Sequence, residues 1–462
     1  MVKGRITLFW PVDPTIGDIY AQAPSIAMQY ISKILSLNGF EVTVIDCDMI
    51  LSREEIHNYS DKTTEKLIDM IEKTNPDILG VGSYTVTMPI IAELTRIFKA
   101  RNLDIPIILG GSNPTLLPNQ TLNFLPHIDY FVRGEGEYTL LELVQRLKIG
   151  KSVSKVKGIS YRNNGIIVHT PNRPPIQNLD ELPLIDMENF IIKNKFTYTM
   201  VWDRGCVGDC SFCNAKAMWG PSRFFSPRYI VNLIKHILDL YSNVNFSYST
   251  DNLFSNVFWV KKVAELIHKE LPDFRWSGCG TLLPITKELI NFLEKRGLSS
   301  LFIGVESVHP QTLIFFNKTK NPSFYIKKVH EVLDIIENSN IWADFGFIGG
   351  APNESKKDLL SLKEFIIKIN DQYSRVRGDW QRLILFPGTR HWYQYLDGEI
   401  KIQKLPSKIR DMWVPKIIQK YDHLVWLAPY SYLIKNNNLS VNELIDIFIN
   451  CIEDIGFFRK KN

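Results

Sequence analysis

Short apolar runs alternate with helix-patterned segments twice along this chain, and no other feature narrows the choice of fold so far. Between residues 5 and 148 the runs "RITLFW", "EVTVID", "DILGVGS", "IPIILGG" and the start of "YFVRGEGEYTLLELVQRL" are separated by "AMQYISKILSLNG", "TEKLIDMIEK" and "IIAELTRIFKA". Strands that alternate with helices predict a parallel sheet covered on both faces, here a doubly wound, Rossmann-like α/β domain over residues 1–150. A helix stop is readable at Gly39, after Leu37 and Asn38. In such sheets ligands bind outside the carboxyl ends of the strands. Glycines fall there on three successive runs, at Gly82, at Gly110 and Gly111, and at Gly134 and Gly136, which points to a ligand lying against backbone.

The texture then changes. "GISYRNNGIIVHTP" reads as a β-hairpin around Asn164-Gly165, and the proline-rich "NRPPIQNLDELPLID" leads onward, so residues 151–195 are a linker with a hairpin. A second series follows, with strand candidates "YTMVWD", "VNFSYST", "FRWSGCG", "LFIGVES", "WADFGFIGG" and "WQRLILF". Its clearest helix is "SPRYIVNLIKHILDLY", capped by Ser226, opened by Pro227, and carrying Ile230, Ile234, Ile237, Leu238 and Tyr241 on one face. Six βα units fall short of a complete eight-fold barrel, so residues 196–395 are expected to form a partial (β/α)6 barrel, and residues 396–462 a small helical C-terminal region. A length of 462 residues exceeds what one hydrophobic core serves, in keeping with two domains and a smaller third piece.

Composition mainly excludes. A net charge of +5 spread along the chain does not single out nucleic acid as a partner. No apolar stretch is long enough to span a bilayer, and "MVKGRITLFWPVDP" reads as a first strand, not a signal peptide, so a soluble chain is expected. Cysteine is informative. Cys47, Cys279 and Cys451 stand alone, which is no disulfide framework and suits a reducing cytoplasm; Cys279 reads as a small apolar residue, and Trp202, Trp219 and Trp276 as core or cavity wall. Cys206, Cys210 and Cys213 instead fall within eight positions, just after the first strand of the second series. Chance gives roughly one such arrangement per thousand chains of this composition. Three thiolates leave a zinc ion one ligand short, with no histidine in the loop. On a four-iron cluster they would leave one iron open to a substrate or cofactor.

The Cx3Cx2C pattern with Phe212 before its last cysteine resembles the signature of the radical S-adenosylmethionine enzymes, and "FSYSTDNLF", "LFIGVES", "FGFIGGAPNES" and "LILFPGT" resemble later segments of that barrel. "IPIILGGSNPT", "IDYFVRGEGEYTLLEL" and "NLDELPLID" are similar to the N-terminal domain and linker of the branch that also binds cobalamin. The resemblance implies that Cys206, Cys210 and Cys213 hold a 4Fe-4S cluster. It further implies that Phe212, Asp251, Glu306, Gly349 and Gly350 bind S-adenosylmethionine, with Glu306 and Asp251 accepting from its ribose or amino groups. Cobalamin would be gripped by Gly82, Ser83, Thr85, Gly110, Gly111, Ser112, Thr115, Gly134, Glu135, Gly136 and Glu137. None of the nine histidines has Asp two residues before and Gly three after, and Asn113 stands where a histidine is common. A base-off cobalamin with no histidine below cobalt is therefore expected.

The activity so implied is methyl transfer to an unactivated carbon or to phosphorus of a small-molecule or peptide substrate, fed by an electron donor such as flavodoxin or ferredoxin. The alternative within the class is a non-methylating cyclisation, ring contraction or oxidation. A methylthiotransferase would need a second cysteine triplet, and the N-terminal domain has only Cys47. A cobalamin-responsive regulator with a vestigial barrel is disfavoured by the intact triplet.

Overall fold

The computed structural model describes residues 3–13, 15, 23–241 and 244–455. Strands β1 (Arg5–Trp10), β2 (Glu41–Asp46), β3 (Ile78–Ser83), β4 (Ile107–Gly111) and β5 (Tyr130–Val132) run parallel in the order 2-1-3-4-5. All six residues of β3 are buried, as a central strand covered on both faces requires. The helix Ile26–Leu37 starts where the Ser25 hydroxyl accepts from the Met28 amide (3.4 Å) and ends at Asn38, with Gly39 at φ +84°. Strands β6 (Ile159–Asn163) and β7 (Ile166–His169) join antiparallel beyond β5 and extend the sheet to seven strands. The turn between them has Asn164 and Gly165 at φ +50° and +80°, the hairpin geometry that Asn-Gly favours.

The second half is a run of parallel strands: β8 (Thr197–Val201), then, after the two-residue β9 (Asp203–Arg204) and β10 (Arg223–Phe224), β11 (Asn245–Ser249), β12 (Trp276–Thr281), β13 (Leu298–Glu306), β14 (Trp342–Gly349) and β15 (Val376–Arg382). Ladders join β8 to β11 and run β12-β13-β14-β15. Between the two ladders Thr250, just past β11, accepts from the Cys279 amide (3.2 Å) and donates to the Cys279 carbonyl (3.3 Å). Six parallel strands make the expected partial barrel. Along β14 the buried positions face the helix layer, as where Phe347 meets Phe365 of the helix Lys356–Gln372 edge-on at 6.0 Å. The alternate positions face the lumen.

Three local expectations are corrected. The last barrel strand lies at 376–382 and not at "WQRLILF" (380–386), because its alternate positions Arg377, Asp379 and Gln381 face a polar lumen while the apolar residues that suggested a strand lie beyond its end. Leu238 is 38 % exposed; the helix Pro227–Leu240 buries Tyr229, Val231 and Leu233 beside Ile230, Ile234 and Ile237. The C-terminal region holds, besides helices, an antiparallel pair, β16 (Ile402–Lys404) with β17 (Tyr432–Ile434). Its last helix, Val441–Ile455, packs on β15 and on the helix Lys356–Gln372, with Phe448 edge-on to Trp380 at 6.0 Å. No helix among the described residues is long and apolar enough to cross a membrane.

Candidate functional site

The cysteines sit on a closed excursion. Just past β8, β9 pairs antiparallel with β10, Arg204 opposite Arg223, so residues 205–222 leave and return at one point. Gly205 has φ +87°, and a Cβ there would stand 2.6 Å from the Gly220 carbonyl oxygen, so only glycine passes. Its amide donates to the Asp251 carboxylate (2.7 Å). Asp203, 2 % exposed, accepts from the amides of Asp251 (3.1 Å) and Asn252 (3.3 Å), and burial, then the Asp251 charge, pushes its carboxyl up to about 7. This network ties the root of the excursion to the end of β11.

The donor set suits an iron–sulfur cluster. A Cβ on Gly208 would lie 3.3 Å from Cys206 Sγ and 3.9 Å from Cys210 Sγ, so that glycine separates two of the three sulfurs. Cys206 Sγ accepts from the Gly208 amide (3.2 Å) and Asn252 Nδ2 (3.7 Å), and Cys213 Sγ from the Ala215 amide (3.5 Å), the kind of hydrogen bond that tunes cluster thiolates. Burial pushes the Cys210 thiol up to about 11, opposed by the Lys318 ammonium. On a four-iron cluster each of the three thiolates would hold its own iron and leave the fourth open. A cleft of about 220 Å³ opens beside Cys210 and Cys213, lined also by Asp209, Lys216, Gly388 and Arg390.

Around this loop lie the residues expected to bind S-adenosylmethionine. Phe212 turns into an apolar cluster and meets Phe316 edge-on at 5.2 Å. Asp251 is exposed, its carboxyl pushed up by surrounding protein and opposed by the Gly205 amide. Glu306 ends β13 at φ +69°, a left-handed backbone uncommon for a glutamate, where the pairing with β14 shifts register; its Oε1 stands 2.9 Å from Lys318 Nζ, both side chains buried. Burial alone would pull the Lys318 ammonium down, but the Glu306 carboxylate outweighs it and holds the lysine charged. Gly349 and Gly350 lie at the end of β14, where Trp380 fills the space a Gly349 side chain would need and Phe448 comes within 3.0 Å of a Gly350 Cβ. The amides of Gly350 and Ala351 donate to buried Glu354 (2.7 and 2.9 Å). Cys279 lies half-buried on the lumen side of β12, not in the core; Trp202 and Trp276 are buried against each other at 5.4 Å.

At the strand ends of the first domain, Gly82 leaves room that Trp10 and Met28 fill. The Ser83 hydroxyl donates to the Gly110 carbonyl (2.7 Å), and Thr85 is buried in the turn that follows. Gly111 has φ +108°, and a Cβ there would stand 2.0 Å from the Ser83 carbonyl oxygen; Thr115 donates to the Gly111 carbonyl (2.6 Å) and accepts from the Gly134 amide (3.0 Å). Gly134, at φ +75°, faces open space, and a Gly110 Cβ would meet only Val132, at 3.9 Å. Beside the half-buried Ser112, Asn113 is 2 % exposed and its Nδ2 has no partner. An orphaned buried donor beside open glycine backbone fits a bound group such as a corrin. Gly136 opens the helix Gly136–Lys148, and the carboxylates flanking it are paired, Glu135 with Arg204 and Arg223 and Glu137 with Arg204.

The two sets of strand ends face each other. The short helix Ser112–Leu116 contacts the helix Ala215–Trp219, and Leu116 lies 2.8 Å from where a Gly388 Cβ would stand. Arg204, Arg223 and Asn252 have no signal in the sequence, since each acquires its meaning from a partner distant along the chain; Lys318, twelve residues from Glu306, is near enough in sequence to suggest the pair.

The B12 binding domain model matches residues 13–144 and the Radical SAM superfamily model residues 200–366. An uncharacterised methyltransferase of Pyrococcus horikoshii is 26 % identical over 72 % of this chain and 72 % of its own. An anaerobic magnesium-protoporphyrin IX monomethyl ester cyclase of Cereibacter sphaeroides is 26 % identical over 86 % of this chain, which spans 62 % of that enzyme's length. The structure of the radical S-adenosylmethionine methyltransferase TsrM from Kitasatospora setae superimposes with a TM-score of 0.74 at 15 % identity, covering 97 % of this chain and 91 % of that one. With a B12-binding domain leading into a radical S-adenosylmethionine barrel, the chain belongs to the cobalamin-dependent branch of the radical S-adenosylmethionine enzymes.

Proposed function

We propose that the protein is a methyltransferase acting on an unactivated carbon, or on phosphorus, of a small molecule or peptide. The observation that carries the reading is the approach of the first domain to the cysteine excursion, where the helix Ser112–Leu116 contacts the helix Ala215–Trp219 and Leu116 reaches Gly388 beside the cleft at Cys210 and Cys213, because a methyl carrier and a hydrogen-abstracting group must reach one substrate atom. When bound, the cluster with S-adenosylmethionine supplies a 5′-deoxyadenosyl radical, and cobalamin supplies the methyl group. Cys206, Cys210 and Cys213 would hold the cluster. Lys318 neutralises one oxygen of Glu306 and leaves the other to accept from ribose or amino groups. Asp251 would take a second donor, and the main chain at Gly349 and Gly350 the adenine. Phe212 and its aromatic neighbours keep water from one side of the loop.

Cobalamin would lie on the glycines of β3 to β5 with no histidine beneath it. His127 bonds Thr95 (2.7 Å), and His169 bonds Ser160 (2.7 Å) and Asn119 (2.8 Å), so both imidazoles are engaged by protein partners; Asn113 stands where the resemblance leads one to expect a histidine. Electrons would come from a flavodoxin or ferredoxin, in a reducing cytoplasm. Similarity to the cyclase over 86 % of the chain favours, as second reading, a non-methylating ring closure. Turnover with the true substrate separates them. Methylation uses one S-adenosylmethionine by each route and yields S-adenosylhomocysteine and 5′-deoxyadenosine in comparable amounts; 5′-deoxyadenosine alone supports the cyclase-like reading.

A further inference from the structure

The two arginines that close the base of the cysteine excursion both reach into the other domain. Arg204 Nη1 stands 2.9 Å from Glu135 Oε1 and Nη2 2.5 Å from Glu137 Oε1, while Arg223 Nη1 stands 2.9 Å from Glu135 Oε1. All four side chains are 6–9 % exposed. The Arg204 guanidinium also lies over Tyr30 and Trp219, at 5.6 and 5.5 Å, and Arg223 donates to the carbonyls of Ile176 (2.5 Å) and Trp219 (2.9 Å). Charge balances, two against two.

Stability is a poor reason for this cluster, because desolvating four ions is no better than packing apolar side chains of equal volume. Nor is it needed to hold the domains together. Elsewhere along the interface Tyr198 donates to Gln29, the hydroxyls of Tyr30 and Tyr229 meet at 3.5 Å, and Lys33 pairs at 2.7 Å with Asp186 of the segment joining the domains. What guanidinium–carboxylate forks supply is fixed spacing and direction. They supply it where the loop after β5 meets the excursion, two residues from Cys206.

We propose that Arg204, Arg223, Glu135 and Glu137 form a positioning lock that sets the distance and tilt between the cysteine excursion and the Gly134–Glu137 loop, and with them the spacing of the two cofactors. The inference rests on the reading above, in which cobalamin lies on that loop and the cluster on those cysteines. The four side chains act as positioning groups through one another, and it is the main chain of the loop on which cobalamin would lie.

Arg204→Lys keeps the charge and cannot span both carboxylates; Arg223→Lys, which keeps the charge but cannot hold Glu135 together with the carbonyls of Ile176 and Trp219, serves if the first variant fails to fold. Lys33→Met, which removes a remote interdomain ion pair, is the control. In anaerobically reconstituted enzyme, Arg204→Lys should bind iron and cobalamin as wild type does, yet show altered spin coupling between reduced cluster and cob(II)alamin in electron paramagnetic resonance. Methylation per S-adenosylmethionine cleaved should fall about a hundredfold, the order expected of an ångström-scale misplacement, with Lys33→Met near wild type. In the protein without cofactors, amide exchange in residues 134–137 and 205–222 should accelerate together in Arg204→Lys only. Wild-type coupling and product ratio in Arg204→Lys, an equal loss in Lys33→Met, or unchanged exchange would each overturn the lock. Wild-type enzyme that binds no cobalamin sinks the functional reading, and the exchange measurement still decides the lock.

Discussion

A thiolate pulls its weight here only with help from neighbours. Buried thiols such as Cys210, pushed up to about 11, are protonated at neutral pH until a metal displaces the proton, so the amide donors to Cys206 and Cys213 and the nearby Lys318 favour the metal-bound form. Changing any one of Cys206, Cys210 and Cys213 to Ala is expected to abolish both the charge-transfer colour and 5′-deoxyadenosine formation, where wild type loads about four irons; a triple-Ala variant that still cleaved S-adenosylmethionine would refute the assignment. Carboxyls carry a second, pH-linked consequence. Asp46, at the end of β2, accepts from the amides of Ser25 (2.7 Å) and Asp48 (3.0 Å), and burial, then the Asp48 charge, raises it to about 8; burial likewise raises Glu354 to about 7. A carboxyl with a raised pKa holds its proton more tightly folded than unfolded, so its contribution is complete at low pH and is lost as pH rises from the ordinary carboxylate range through about 8. Each group can remove at most about 1.4 kcal/mol per pH unit in that window. The melting temperature of the cofactor-free protein should therefore fall between pH 5.5 and 8.5, and Asp46→Asn should flatten part of the fall; a melting temperature that rises with pH contradicts this. The cysteines were legible from spacing alone, whereas the environment of Asp46 was not, because burial is a property of the packed sheet.

At the scale of elements, strands are legible where a continuous apolar run marks them, and are displaced where half of a strand's own residues are polar. β3 was plain from "ILGVGS", but β15 was displaced because "VRGDWQR" turns Arg377, Asp379 and Gln381 to the lumen. The hairpin β6-β7 was visible from Asn164-Gly165, while its addition to the edge of β5 was not, since nothing local says which edge a hairpin will meet. Gly111 is where a strand end is most demanding. Its φ of +108° and the Ser83 carbonyl oxygen standing where a Cβ would project exclude a side chain, and Ser83, Gly110 and Thr115 are hydrogen-bonded around it. Gly111→Ala is expected to cost about 3 kcal/mol from backbone strain and displacement of β3. It should abolish cobalamin binding, read by visible absorption, while iron loading of the cysteine excursion stays at the wild-type level. Loss of both cofactors together would mean that the first domain's strand ends support the excursion directly.

Across the whole molecule the question is whether two domains behave as two. One contiguous apolar core runs from Leu8 and Val81 in the first sheet through Tyr30, Phe225 and Tyr198 at the junction to Ile303 and Phe347 in the barrel and Phe448 in the last helix. Tyr30 stacks on Phe225 at 6.1 Å, and Phe225 on Tyr229 at 4.4 Å, so the helix Ile26–Leu37 is as much a part of the barrel's wall as of its own domain. The sequence could divide the chain, because each βα series announces itself, but could not show this docking, whose contacts join residues some two hundred positions apart. A shared core removes the apolar surface that independent domains would keep solvated, and a ligand that binds only the native state stabilises everything that unfolds with its site. Calorimetry of the cofactor-free protein should then show one main transition. Cobalamin at a hundredfold excess over its Kd should stabilise that entire transition by about 2.7 kcal/mol, including the part reported by Trp276 and Trp380 in the barrel. Two resolved transitions, of which cobalamin moves only one, would show that the interface does not couple the domains, and that the spacing of the two cofactors is set elsewhere than in their packing.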